Sequence, residues 1–161
     1  MAYQPNSRSY YQSPPAGAGR RTDQQGKITQ KKKIITPKPL PENYVEEAEC
    51  VIEQMAGSGK GRPISSSKLR NLFSLIIDIY HVERLRAEKT MEAESVFKLR
   101  NAQIRILYES GREKAVEAFV SESNLLSYLK DIQNDREKFL KFTHYMEALV
   151  AYHRFYHLNE G

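Results

Sequence analysis

The sequence has one cysteine, Cys50, so no internal disulfide can staple the fold. No Cys/His grouping has zinc-ligand spacing either, which removes a structural metal as the substitute. The uninterrupted apolar runs are only a few residues long, and the first thirty residues are polar without the apolar core of a signal peptide. These absences point to a cytoplasmic protein that neither enters nor crosses a membrane. No stretch alternates apolar and polar residues long enough to make a strand, so an all-α fold is expected. At 161 residues and 40% hydrophobic content the chain has material for one packed domain.

The net charge of +5 is unevenly spread. Residues 1–40 hold eight Lys/Arg against Asp23 alone, whereas the remaining 121 hold 17 Lys/Arg against 19 Asp/Glu. Net basicity therefore describes the tail; nucleic-acid binding by the rest must rest on where its charges sit. Residues 1–40 also contain five of the seven prolines and no hydrophobic period, and a disordered basic tail is expected there, with Lys31, Lys32 and Lys33 at its heart. Residues 41–161 are expected to form a compact bundle of about five helices.

Val45, Ala48, Val51, Ile52 and Met55 follow helical spacing over about 42–55, and the other faces carry Glu42, Glu46, Glu47, Glu49 and Glu53. That acidic surface would repel a phosphate backbone. A second helix is predicted from Ser66 or Ser67 to about Glu88, burying Leu69, Leu72, Phe73, Ile76, Ile77 and Tyr80. A third, from about Glu92 to Ser110 and stopped by Gly111, carries Val96, Phe97, Leu99, Ile104, Ile106 and Leu107 and is expected to be central. A shorter pair follows, near 113–120 and 124–131. The last helix, about 135–156, buries Phe139, Phe142, Met146, Leu149, Val150 and His153.

Candidates for chemistry are few. The GSGKG at 57–61 lacks the glycine spacing, the hydroxyl after Lys60 and the leading strand of a phosphate-binding loop. His153 and His157 stand four apart, but no third metal ligand accompanies them. No Ser, Cys or carboxylate pair has an activating context, so neither an enzyme nor a cofactor is expected.

What remains is basic and aromatic interleaving. Lys98, Arg105 and Arg112 recur every seven residues on one face of the third helix, with Tyr108 among them. Lys138, Lys141, Tyr145, Tyr152 and Tyr156 form a similar stripe on the last helix, expected beside the buried face. Lys60, Arg62, Lys68 and Arg70 cluster before the second helix, in a stretch from Met55 through Ile77 with no acid. Lys68 and Arg70 oppose the helix dipole, and phosphates placed at that end would be drawn by both the side chains and the free amides. Each stripe can equally be a solvated, ion-paired face.

SSSKLRNLFSLIIDIY (65–80), KLRNAQIRILYESGREKAVEAFV (98–120) and DREKFLKFTHYMEALVAYHRFY (135–156) together resemble the small subunit of the type III-A, or Csm, CRISPR complex. The order SKLRN, YESGR, YMEALVAYH carries the likeness. The resemblance implies a non-catalytic helical bundle, present in several copies that stack head to tail as an inner filament. It implies partners too: guide (crRNA) and target RNA, the large subunit, the backbone subunit and further copies of itself. Cleavage belongs to the other subunits. The family's basic motif places fall on Lys68, Arg70, Arg105 and Arg112; face geometry adds Lys98, Lys141 and Tyr145. Such contacts would reach phosphates and sugars irrespective of base identity. A protein-only assembly spacer and an unrelated helical nucleic-acid-binding regulator remain as alternatives.

Overall fold

The computed structural model describes residues 34–57 and 63–156. Six helices follow one another: α1 (Tyr44–Gly57), α2 (Ser66–Glu83), α3 (Ala93–Arg112), α4 (Lys114–Glu122), α5 (Leu125–Ile132) and α6 (Arg136–Phe155). The described residues contain no strand, only an isolated antiparallel bridge between Thr90 and Asp135. The all-α expectation holds, with six helices among the described residues where about five were expected. The tail through Lys33, together with Lys60, Arg62 and His157, lies outside the described residues.

Helix α6 is the axis of the bundle. It packs against α1, α2 and α5, and α2 in turn carries α3, which continues into α4. Its apolar positions follow from that placement: Phe139, Phe142, Met146 and Leu149 are all buried. Each such side chain contributes about 1.5–3 kcal/mol when taken out of water. Ile52 of α1, Leu69 and Ile76 of α2, Ile106 of α3 and Phe119 of α4 close the core around them.

The helix ends follow side-chain chemistry. Ser65 caps α2, its hydroxyl accepting the Lys68 N–H at 3.3 Å, one residue before the predicted start. Asp135 caps α6 in the same way, accepting from the Lys138 N–H at 3.0 Å. Helix α2 stops at Glu83, short of the expected Glu88, because the following loop is pinned to the α5–α6 turn. The Met91 N–H donates to the Asn134 carbonyl at 2.9 Å, and the Arg136 N–H to that of Lys89 at 3.0 Å. Gly111 does not end α3, which runs one residue further and turns into α4 through the extended backbone of Glu113. Asn124 makes the α4–α5 turn at φ 51°, a left-handed conformation that asparagine tolerates better than most residues.

Residues 34–42 form a strap over α5 and α6. Ile35 and Leu40 pack on the core. The Lys38 N–H donates to the Ser127 carbonyl at 3.1 Å, and the Lys130 ammonium donates to the Ile35 carbonyl at 2.8 Å. Residues 34–42 thus belong to the same compact unit as the helices, several residues ahead of the hydrophobic periodicity.

Helix α3 is peripheral rather than central. Leu99, Ala102 and Ile106 face inward, while Phe97 (65% exposed) and Ile104 (64%) point outward with Leu107 and Tyr108. With two apolar faces on one helix, periodicity alone cannot say which is covered.

Candidate nucleic-acid interface

The capped start of α2 lies against the end of α3, and this antiparallel crossing forms a cleft of about 420 Å³. Lys68, Arg105 and Arg112 line it, so three of the seven residues singled out from sequence converge although Lys68 stands 37 and 44 positions before the two arginines. Asn71 and Ser74 supply neutral polar groups, and Leu72, Leu75 and Val116 form the apolar floor.

Lys68 and Arg105 are held in place by carboxylates. The Lys68 ammonium is 3.3 Å from Glu109 and 3.2 Å from Glu113, and Arg105 Nε is 3.5 Å from the other oxygen of Glu109. The hydrogen bonds to Glu113 and then Glu109 hold the Lys68 ammonium above the usual lysine range, so it stays charged near neutrality. The Arg112 guanidinium lies over the Tyr108 ring, 6.0 Å from its centre. Neither Glu109 nor Glu113 was singled out from sequence. The spacing of Arg105 and Glu109, one helical turn apart, was the available signal.

The other expected residues lie elsewhere. Arg70 is exposed but, two positions after Lys68, stands on the opposite flank of α2. Lys98 shares the flank of Arg105, one end further along α3, and is paired with Glu94 at 2.7 Å. The cations of the α6 stripe are engaged by carboxylates of α5 and the strap. Lys141 is bound to Glu42, Lys138 to Asp131 at 2.9 Å, and the Tyr156 hydroxyl donates to Glu53 at 2.7 Å. Lys138 and Lys141 border a second recess of about 310 Å³ in which Glu42, Asp131, Asp135 and Glu137 outnumber them.

Tyr145 requires correction. It is completely buried, its ring edge-on to Tyr128 at 5.4 Å and its hydroxyl donating to the Ser123 carbonyl at 2.9 Å. Helix α5 covers this flank of α6, so the side chain expected beside the buried face is part of it. Burial pushes its phenol far above the ordinary tyrosine range. Tyr145 reaches no surface ligand.

Among the described residues no group of three His, Cys, Asp or Glu side chains could hold a metal ion, and no helix is long and apolar enough to cross a membrane. His153 is buried with its Nε2 2.8 Å from the Ile64 carbonyl, a packing role.

These features define a small all-α protein whose distinguishing surface is a cationic cleft between two antiparallel helices. Residues 41–159 match the family model described as Csm2 Type III-A. The CRISPR system Cms protein Csm2 of Mycobacterium tuberculosis (strain ATCC 25618 / H37Rv) is 34% identical over 116 residues, covering 72% of this chain and 93% of that protein. The protein of the same description from Streptococcus thermophilus is 35% identical over 116 residues, covering 71% and 92%. That from Enterococcus italicus is 35% identical over 100 residues, covering 60% and 71%. The chain belongs to the Csm2 type III-A family and is a Csm small subunit.

Proposed function

We propose that the chain is a non-catalytic, cytoplasmic subunit of a type III-A CRISPR effector that lies along guide and target RNA and holds their backbones without reading sequence. The convergence of Lys68, Arg105 and Arg112 on one cleft carries this reading. Guanidinium and ammonium groups on a helical crossing suit phosphate oxygens, and a surface serving any guide gains nothing from base-edge contacts.

A second observation favours packing against protein. The outward face of α3 exposes Phe97, Ile104, Leu107 and Tyr108, a contiguous apolar stripe of the kind that marks a protein interface. Helix α1 sits beyond α6 and α2 from α3 and carries Glu46, Glu47, Glu49 and Glu53 without a single basic residue. A chain with unlike ends of this kind suits head-to-tail stacking of copies between the large and backbone subunits, each end meeting a different neighbour.

The test is fluorescence anisotropy with two labelled RNAs of equal length and unrelated sequence. Wild type should bind both equally. Lys68→Ala with Arg105→Ala should lose about tenfold or more in affinity and lower the log–log salt slope by about two. Marked preference for one RNA, or unchanged affinity of the double variant with its helical circular dichroism intact, overturns the proposal.

A further inference from the structure

The cleft is not an open cationic surface. One oxygen of Glu109 faces Lys68 at 3.3 Å, the other faces Arg105 at 3.5 Å, and Glu113 takes Lys68 from a second side at 3.2 Å. The Glu109 side chain is only 12% exposed, whereas that of Arg105 is 64% exposed. Glu109 therefore sits beneath Lys68 and Arg105, and an anion approaching either of them from solvent meets a charge that is already partnered.

Resting on the reading above, we infer that Glu109 is a specificity-determining residue, an internal anion that makes the cleft answer to a chain of phosphates and ignore a single one. A lone phosphate at Lys68 or Arg105 exchanges one charge-assisted hydrogen bond for another of similar strength and still loses its translational freedom, so it gains almost nothing. A polynucleotide loses that freedom once and engages Lys68, Arg105 and Arg112 together, with each further contact made at high effective concentration. The cleft thereby separates RNA from mononucleotides and inorganic phosphate. A simple interhelical clip of the same geometry would have no such selectivity.

Glu109→Gln retains the shape and one acceptor oxygen while removing the charge. In the full chain, labelled single-stranded RNA should bind this variant about three- to tenfold more tightly than wild type, the expected release from two partly exposed ion pairs. AMP and inorganic phosphate at millimolar concentration should displace RNA from the variant and leave the wild-type complex intact. Equal or weaker RNA affinity with an unchanged unfolding midpoint, or equal competition in both proteins, overturns the inference and makes Glu109 a clip. Should Glu109→Gln fail to fold, Glu113→Gln, which frees Lys68 from its more exposed partner, must tighten binding in the same direction, and no gain there also overturns it. Loss of binding on Lys68→Ala with Arg105→Ala, together with no gain on Glu109→Gln, rejects this inference alone. Absence of RNA binding by wild type rejects both.

Discussion

The carboxylate of Glu83, the last residue of α2, accepts the backbone N–H of Glu92 at 3.0 Å and so satisfies a free amide at the start of α3. The same carboxylate is fully buried, with Arg86 Nε at 3.7 Å and Arg136 Nε at 3.9 Å. Arg136 also donates to the Glu83 carbonyl at 2.7 Å, which brings the first turn of α6 to this junction. One side chain thus joins the ends of three helices. Removing it leaves two partly buried guanidinium groups without their shared anion and an amide without an acceptor. Glu83→Ala should cost about 3 kcal/mol in a denaturant titration, and Glu83→Gln about half as much. A loss under about 0.5 kcal/mol for alanine, the range of ordinary surface changes, would show that the junction is held by something else.

Tyr145 should behave as a core residue. Tyr145→Phe removes only the hydrogen bond to the Ser123 carbonyl and should cost about 1 kcal/mol. Tyr145→Ala leaves a ring-sized hole beside Tyr128 and should cost about 3–5 kcal/mol. RNA affinity of the phenylalanine variant, measured well below its unfolding midpoint, should equal that of wild type. A specific fall in affinity would return this residue to the interface.

Periodicity made the helices legible because α2 and α6 each place their apolar residues at steps of 3 and 4. It did not reveal which of two apolar faces α3 buries, since Phe97 and Ile104 are as hydrophobic as Leu99 and Ile106 and only tertiary contact decides between them. The cleft was partly legible. Lys98, Arg105 and Arg112 share a flank by helical geometry alone, but the meeting of Arg105 and Arg112 with Lys68 depends on the α2–α3 crossing, as does the Lys68–Glu109 pair 41 residues apart. Tyr145 was misplaced because local spacing places a residue around its own helix and is blind to α5, which covers that side of α6; the same blindness hid the strap residue Glu42 that pairs with Lys141.

The exposed stripe on α3 leads to a prediction about assembly. Ile104 is 64% exposed, so Ile104→Glu should change stability by no more than about 0.5 kcal/mol. If the stripe packs against a neighbouring subunit, a charge there must be desolvated on assembly, and recovery of the variant in a co-expressed effector should fall about tenfold while binding to free RNA is retained. Full incorporation of Ile104→Glu would assign the stripe no part in assembly.

His153 makes the fold sensitive to acid in a defined direction. Burial lowers its proton affinity below the ordinary histidine value of 6.5, while the Ile64 carbonyl, 2.8 Å from Nε2, partly opposes that shift. The native state therefore holds the imidazole neutral in a range where the unfolded chain binds a proton. Stability is fully present above pH 6.5 and declines as pH falls through that value, levelling off only once the folded-state imidazole also titrates. Denaturant titrations between about pH 5 and pH 7.5 should show this decline. His153→Gln, whose amide can still donate to Ile64, should be less stable at neutral pH yet lack the histidine component of the slope. An equal slope in wild type and variant would trace the acid sensitivity to other groups and leave His153 as a packing residue only.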